Sequence, residues 1–269
     1  MSARVAVIQF PGVNCETESV RALARVGLTG EVFRWTRPAQ ELARYDGYLL
    51  PGGFSYQDRV RAGALAAKDP CLAVLAAEAE RGKPVLGICN GAQVLVESGL
   101  VPGHGISVAL ARNRMPGRSG YYARWVQVRV EPSRCVFTRH LTAGEVLPLP
   151  VAHGEGRFTS ARAGHLAALV AAGQAPLRYA TADGQLATTF PDNPNGSQES
   201  VAALCNLAGN VLAIMPHPER AQELHAIERG AVGAWGERRE RAREADLGAD
   251  AEGPGLALFR GMAAALGVA

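Results

Sequence analysis

The first hundred residues alternate between short apolar runs and longer stretches in which apolar residues recur with helical spacing. The apolar runs are almost continuously hydrophobic, as is typical of strands buried on both faces of a parallel sheet. The predicted strands are Arg4–Phe10, Glu31–Trp35, Asp46–Pro51 and Pro84–Ile88, and the predicted helices are Cys15–Val26 (capped by Asn14), Arg59–Ala67, Pro70–Arg81 and Asn90–Ser98. This alternation of strands and helices predicts βαβ units and therefore an α/β fold with a mostly parallel central sheet and helices on both faces.

The second half of the chain changes character, because its predicted strands are shorter and some alternate. Val126, Val128 and Val130 alternate with Gln127 and Arg129, which is the period of a strand with one face in water. The predicted strands here are Val108–Asn113, Tyr122–Val130, Glu145–Pro150, Leu177–Ala180, Val201–Leu204 and Val211–Met215, and helices are expected within Phe158–Gly173 and over Gly255–Leu266. The first four of these strands predict an antiparallel extension of the sheet.

Residues 221–253 form a strongly charged stretch that we expect to be a helical or flexible insertion. Charges of both signs follow one another from Glu237 to Arg241, and acidic residues continue through Asp246, Asp250 and Glu252. Such alternation is typical of a solvated helix, and a docking surface for a partner is the alternative. We expect residues 1–269 to form a single domain that contains this insertion.

Composition excludes several classes of protein. The chain has 269 residues, a net charge of +3 and 6% aromatic residues, which argues against a nucleic-acid partner. No apolar run is long enough to cross a membrane, and the N-terminus begins with a predicted strand instead of a signal peptide. The five cysteines are odd in number and contain no C-x-x-C pair, so we expect neither a disulfide framework nor structural zinc, and a cytoplasmic location.

Cys89 lies where a predicted strand meets a predicted helix. Gly87–Gly91 has the pattern G-x-C-x-G, the thiol version of the G-x-S-x-G nucleophile elbow. Small residues on either side permit a tight turn that exposes one nucleophile, and the helix N-terminus beyond it favours a thiolate. The alternative is a buried cysteine that serves only the core.

His217 is the histidine with the most constrained setting. It follows the predicted strand Val211–Met215, with prolines on both sides and Glu219 two residues later. In an extended segment residues two apart point the same way, so Glu219 could orient His217 towards one site. The loop Gly52-Gly53 also follows a strand, and sites in parallel sheets lie at the carboxyl ends of strands. His217 and Glu219 supply only two metal ligands, so no metal site is expected.

Together these segments resemble class I (triad-type) glutamine amidotransferases, whose fold is flavodoxin-like. The shared motifs are the G-x-C-x-G-x-Q elbow at Gly87–Gln93, the P-G-G loop at Pro51–Gly53 and the H-P-E segment at His217–Glu219. Within that class the chain is most similar to the glutaminase-subunit family of phosphoribosylformylglycinamidine synthase. This closer resemblance rests on residues 10–15, 51–56, 58, 61–64, 87–91, 153–158, 193–197 and 215–220. Gln57 and the long 221–253 stretch depart from the family pattern.

The resemblance implies a function and a set of site residues. Cys89 would be the nucleophile, with His217 and Glu219 as its base and orienting carboxylate. The resemblance also implies an oxyanion hole formed by the N–H groups of Gly53 and Asn90, and substrate binding by Gly52 and Gln93.

The family supplies ammonia from glutamine to a large synthase subunit, which converts formylglycinamide ribonucleotide (FGAR) to its amidine (FGAM). ATP and Mg²⁺ would bind that subunit and no cofactor would bind this chain, which has no phosphate-binding loop motif. Some family members need a third, small subunit. A cysteine peptidase of similar architecture and a non-catalytic scaffold subunit are the alternatives.

Overall fold

A computed structural model describes residues 2–103, 105, 107–245 and 251–268. The strands are β1 (Arg4–Gln9), β2 (Thr29–Arg34), β3 (Gly47–Leu50), β4 (Val85–Ile88), β5 (Ala109–Ala111), β6 (Tyr122–Val130), β7 (Val146–His153), β8 (Arg157–Thr159), β9 (Leu177–Ala180), β10 (Val201–Cys205) and β11 (Val211–Ile214). The α-helices are α1 (Glu16–Arg25), α2 (Pro70–Glu80), α3 (Asn90–Glu97), α4 (His165–Ala171), α5 (Ala234–Glu244) and α6 (Leu256–Ala265).

Within the described residues, nine strands form one mixed sheet in the order β2-β1-β3-β4-β11-β10-β9-β6-β7, and β5 pairs with β8. The strands β2, β1, β3, β4 and β11 are mutually parallel, whereas β10, β9, β6 and β7 extend the sheet in antiparallel fashion. The predicted α/β class with a mostly parallel sheet and an antiparallel extension is therefore confirmed.

The central parallel strands β3, β4 and β11 are buried along their whole length, as their continuous apolar sequences predict, whereas the edge strand β2 is mostly not buried. Every residue of β3, β4 and β11 is buried, and Ile88 of β4 lies in register with Ile214 of β11. The chain steps in opposite directions along the sheet in β1-α1-β2 and in β3-α2-β4. Right-handed crossovers therefore put α1 and α2 on opposite faces. The carboxyl ends of β3, β4 and β11 meet at the centre of one sheet edge.

The predicted helix over Arg59–Ala67 is wrong. Residues Ser55–Asp58 form an irregular 3₁₀ turn, and only Ala66–Lys68 is helical, as a single 3₁₀ turn. Tyr56, Gln57, Asp58 and Val60 have positive φ, which a right-handed helix does not allow. Hydrogen bonds to other segments hold this backbone, including Tyr56 N–H to the Pro11 carbonyl at 2.7 Å. These bonds override the helix propensity of the alanines.

Asn14 does not cap α1, so this prediction is also wrong. The N-cap residue is Cys15, and no side chain caps the helix. The Asn14 Oδ1 atom instead accepts a hydrogen bond from the Cys15 thiol at 3.3 Å. The first turn of α1 carries Glu16 and Glu18, whose charges favour a helix N-terminus.

The charged insertion contains the expected helix, α5, within 221–253. It is not solvated on every side, because Ala242 packs in a small cluster with Leu224 and Ile227, against Trp125 and Trp235. Asp246, Asp250 and His104 lie outside the described residues, and the single-domain division stays a prediction. In the part of the chain that the structure covers, no helix has both the length and the apolar character to cross a membrane.

Candidate active site

Cys89 occupies the sharp turn between β4 and α3. Its backbone has φ +50° and ψ −103°, a strained conformation for a residue with a side chain, at a cost of about 1–3 kcal/mol. The turn also requires Gly91, where a Cβ atom would lie 1.9 Å from the carbonyl oxygen of Leu50. The end of β3 therefore presses directly against the first turn of α3. The predicted elbow is present, and its strain is characteristic of functional sites.

His217 follows β11, the neighbour of β4, so it lies at the same sheet edge as Cys89. The His217 N–H group donates to the Pro150 carbonyl at 2.8 Å, which fixes its backbone against β7. Its Nδ1 lies 2.6 Å from Oε1 of Glu219, and both side chains are buried. Pro218–Arg220 is a 3₁₀ turn rather than the extended segment that the sequence suggested. The two side chains nevertheless meet, because the turn folds the carboxylate back onto the imidazole.

The electrostatics of this cluster favour a charged imidazole. Burial lowers the pKa of His217, but the negative charges of Glu219 and Cys89 outweigh it and raise that pKa well above its ordinary value. The Cys89 Sγ atom is directed to the Ala152 carbonyl oxygen at 3.7 Å. Among the described residues, Nε2 of His217 has no hydrogen-bond partner. Cys89 nevertheless lies close enough to His217 to influence the pKa of the imidazole.

The two backbone groups predicted to form an oxyanion hole lie on adjoining segments, the loop after β3 and the first turn of α3. Gly53 follows β3 and Asn90 is the first residue of α3, where N–H groups have no partner within the helix. Within the described chain, no acceptor is assigned to the N–H group of either residue. A hydrogen bond joins the two segments, because the Ser55 N–H group donates to Asn90 Oδ1 at 3.0 Å. The oxyanion hole itself stays a prediction.

The structure places the two predicted substrate-binding residues differently. Gly52 is absent from the lining of the cavity beside Cys89, and a Cβ atom there would lie 2.8 Å from His217 Cε1. Its lack of a side chain makes room for the imidazole. Gln93 does line the cavity, but its amide accepts from Asn90 Nδ2 at 2.9 Å and donates to the Glu155 carbonyl at 2.7 Å. Gln93 therefore braces the cavity wall.

A cavity of about 230 Å³ opens beside Cys89. It is smaller than the roughly 300–1,000 Å³ typical of pockets for drug-sized ligands, so it suits a ligand the size of one amino acid. Sequence reasoning missed the side chains that line it besides Cys89 and Gln93, which are Phe54, Asp58, Ala62, Tyr121, Ala152, His153 and Glu155. Their signal in the sequence is that Phe54, Asp58, Ala62, His153 and Glu155 lie in segments that carry the family resemblance, and that residues 152–157 form a polar glycine-rich loop.

Cys15 was also missed as a neighbour of the site. It lies in the loop after β1, and Arg220 donates to its Sγ at 3.0 Å. Ligand atoms of Cys15, His217 and Glu219 lie within 4.8 Å of one another, which is a spacing that a metal ion could span. The Arg220 guanidinium beside Cys15 opposes a cation there, and the His217–Glu219 hydrogen bond already occupies two of the ligand atoms. Cys15 therefore lies beside the His217–Glu219 pair and accepts a hydrogen bond from Arg220.

Comparison with known proteins agrees with this architecture. Residues 2–260 match the family of CobB/CobQ-like glutamine amidotransferase domains. The chain is 50% identical to phosphoribosylformylglycinamidine synthase subunit PurQ of Methanothrix thermoacetophila, over 81% of this chain and 86% of that protein. It is 46% identical to the same subunit of Thermomicrobium roseum, over 82% and 88%. A chain in the structure of PurLQS from Thermotoga maritima superposes with a TM-score of 0.67 and 33% identity, over 92% of this chain and 100% of that one.

The sheet, the elbow and the His217–Glu219 pair thus define this chain as a class I glutamine amidotransferase. Within that class, the chain belongs to the PurQ family of phosphoribosylformylglycinamidine synthase subunits. The resemblance drawn from the sequence motifs is confirmed, whereas the peptidase and scaffold alternatives find no counterpart among these relatives.

Proposed function

We propose that this protein hydrolyses glutamine to glutamate and ammonia, and supplies the ammonia to a large synthase subunit that converts FGAR to FGAM in purine biosynthesis. The observation that carries the proposal is the buried His217–Glu219 pair beside an elbow cysteine, in a chain 50% identical to a PurQ subunit. A cavity of amino-acid size at the cysteine supports glutamine as the substrate.

The reaction begins at Cys89. Its thiolate attacks the side-chain amide carbon of glutamine and forms a tetrahedral adduct with a C–S bond. The N–H groups of Gly53 and Asn90 stabilise the oxyanion of this adduct. Removal of one hydrogen-bond donor from an oxyanion hole typically raises the activation free energy by about 3–4 kcal/mol. The raised pKa of His217 keeps its imidazolium available as a proton donor.

His217 then gives its proton to the departing nitrogen, which leaves as ammonia when the C–N bond breaks. A γ-glutamyl thioester remains on Cys89. His217, now neutral, takes a proton from water as the water attacks the thioester, and glutamate leaves as the C–S bond breaks. Glu219 holds Nδ1 of the imidazole throughout, so that Nε2 is the nitrogen that exchanges the proton.

The ammonia acceptor lies on another subunit. The similar chain from Thermotoga maritima belongs to the structure of PurLQS, which supports a large synthase partner and a third, small subunit for this chain as well. We propose that ATP and Mg²⁺ bind the synthase subunit and that this chain carries no cofactor. The five free cysteines of the chain support a cytoplasmic location.

The test is glutamate release from glutamine by the purified protein, with and without the large subunit, ATP and FGAR. We expect release that the complete mixture stimulates and that Cys89→Ala abolishes. FGAM formation should depend on glutamine at low ammonia concentration, and should persist with the variant when ammonium chloride replaces glutamine. Absence of glutamate release from the complete mixture would contradict the proposal.

A further inference from the structure

Two segments that carry the family resemblance meet in a buried hydrogen-bond network. They are residues 193–197 and the loop between β7 and β8, residues 154–156, which we call the β7–β8 loop. Asn195 is fully buried, and its Nδ2 atom donates to the Gly156 carbonyl at 2.8 Å. The Ser197 hydroxyl donates to Asn195 Oδ1 at 2.8 Å and accepts from a backbone N–H group of β8 at 3.0 Å. Residues 193–197 therefore hold the loop from a buried position.

Asn113, two residues after β5, holds the same region through its side-chain amide. Its Oδ1 atom accepts from the Gly156 N–H group and from His153 Nδ1, each at 3.1 Å. Its Nδ2 atom donates to the His153 carbonyl at 2.7 Å and to the Gly120 carbonyl at 3.2 Å. These four hydrogen bonds use the whole capacity of an amide side chain, which has two donors and two acceptor positions.

The β7–β8 loop lies beside the nucleophile. The Ala152 carbonyl oxygen, just before the loop, is 3.7 Å from the Cys89 Sγ atom. Gly154 and Glu155 of the loop line the cavity at Cys89. The position of this loop therefore sets the shape of the space in which glutamine would react.

The sequence of the loop does not fix its conformation by itself. Gly154 and Gly156 are two of its three residues, and glycine has the greatest backbone freedom of any residue. Asn113 and Asn195 bind the loop at both glycines, through the Gly154 carbonyl and through both backbone groups of Gly156. The two asparagines thus supply the restraint that the glycines lack.

We propose that Asn113 and Asn195 are positioning residues of the glutaminase, which hold the β7–β8 loop where glutamine hydrolysis at Cys89 needs it. The inference rests on the proposed function. Neither asparagine is among the described residues that line the cavity, so each acts through the loop. Loss of either amide would leave a buried backbone group without its partner, and the loop would shift to replace that hydrogen bond. A displacement of about 1 Å at a reacting site can cost about a hundredfold in rate.

The test compares buried asparagines at opposite edges of the sheet. Asn113→Ala and Asn195→Ala remove the two amides, and Asn210→Ala is the matched control. Asn210 is buried as well, and its Nδ2 atom donates to two backbone carbonyls at 2.7 and 3.0 Å. It directly precedes β11 and so lies at the edge opposite to Cys89. The control variant should therefore lose stability without changing the cavity.

We expect Asn113→Ala and Asn195→Ala each to raise KM for glutamine about tenfold or more in the complete synthase complex, because the shifted loop changes the shape of the cavity. kcat should change less than KM. Asn210→Ala should keep the KM of the wild type, even where thermal denaturation shows an equal loss of stability. A purely structural role would lower the folded fraction, and with it kcat, but leave KM unchanged. That result, or an equal rise in KM for the control, would overturn the proposal.

A milder variant keeps the proposal testable if the asparagine variants do not fold. Ser197→Ala removes only the hydroxyl that donates to Asn195, and Ser200→Ala is its control. Ser200 is also buried, but its hydroxyl donates to the Ala187 carbonyl at 2.6 Å, outside the loop. We expect Ser197→Ala to raise KM about threefold or more, since one neutral hydrogen bond is lost, and Ser200→Ala to leave it unchanged. An unchanged KM in a folded Ser197 variant would contradict the positioning role.

The wild-type complex separates this proposal from the proposed function. Absence of glutamate release from the wild type contradicts the proposed function, whereas release with an unaltered KM in the variants contradicts only the positioning role. FGAM formation from ammonium chloride should be the same in the wild type and in every variant, because added ammonia bypasses Cys89. A variant that loses this activity as well would show that the asparagines act on assembly of the complex, and would overturn the proposal.

Discussion

The cavity has two walls that are built by different means. One wall, the strand wall, comes from the carboxyl end of the fully buried strand β4, which carries Cys89, and His217 follows the neighbouring buried strand β11. The other comes from loops that carry Asp58 and Glu155, and it includes a run of left-handed residues. In the proposed function the strand wall performs the chemistry, and the loop wall encloses the space beside it. Residues that must stay aligned to a fraction of an ångström lie on rigid elements.

The walls also differ in exposure. Cys89 and His217 are almost fully buried, whereas the loop wall carries Phe54 and Tyr121, which are 45% and 50% exposed with ring centroids 6.5 Å apart. Changes in the strand wall should therefore reduce kcat, while changes in the loop wall should act on KM or on stability. The predictions below test this division, from the largest expected effect to the smallest.

The largest effect is expected from Cys89→Ser. A hydroxyl at this elbow is far less acidic than a thiol, so glutamate release in the complete complex should fall by about a thousandfold or more. Cys71→Ala is the matched control, because Cys71 is buried in α2, outside the cavity. Burial raises the pKa of the Cys71 thiol to about 12, so it is not a nucleophile at neutral pH. A comparable loss of activity in a folded Cys71 variant would contradict the assignment of Cys89 as the nucleophile.

Glu219→Gln should lower kcat by about a hundredfold or more, since a neutral amide neither stabilises the imidazolium nor fixes its tautomer. The pKa of His217 should fall, because the charge of Glu219 helps to raise it. A raised histidine pKa contributes stability at low pH that is lost as pH rises through the folded-state value. The variant should therefore lose more stability at pH 6 than at pH 9, measured by thermal denaturation.

The control for this variant is Glu223→Gln, which lies near the site in sequence but pairs with Arg21 and Arg25. It should keep the kcat of the wild type. If Glu219→Gln and Glu223→Gln behave alike, or if the Glu219 variant changes only KM, the carboxylate does not act through the imidazole.

The same division explains how much the sequence could predict. Cys89 and His217 follow continuous apolar runs, so their strands, their shared edge and their meeting are all visible in the one-dimensional pattern. The helix predicted over Arg59–Ala67 is wrong, because its alanines favour a helix and nothing local reveals the left-handed Val60 or the left-handed residues just before it. The position of Asp58 depends on hydrogen bonds to distant segments, including the one from Asn90. Cys15 was missed for the same reason, because its neighbour Arg220 is 205 positions away.

Gly52→Ala should reduce kcat about tenfold or more through a purely steric effect. The new Cβ would lie 2.8 Å from His217 Cε1 and 3.1 Å from Cys15 Sγ, so the imidazole must shift away from its position. Gly47→Ala in β3 is the control, because its Cβ would meet the end of the flexible Met262 side chain at the same 2.8 Å. If both variants retain full kcat, Gly52 does not set the position of His217.

The smallest effect should come from Asp58→Asn, as a gain in stability at neutral pH. Its raised pKa of about 6 means that folding disfavours the ionised carboxylate, so the wild type loses stability as pH rises from about 4 to 6. The asparagine variant avoids this loss, and because Asp58 is only partly buried we expect a gain on the order of 1 kcal/mol at pH 7.5. Thermal or urea denaturation should show the gain at pH 7.5 and almost none at about pH 3, where the carboxyl is largely protonated in both the folded and the unfolded state. Removing the neighbouring charge by Glu155→Gln should reduce the stability gained from Asp58→Asn, since Glu155 contributes to the raised pKa of Asp58.

An equal stabilisation at both pH values would contradict this electrostatic explanation. The strained backbone at position 58 would then be the cause of the stabilisation, since asparagine tolerates left-handed φ well.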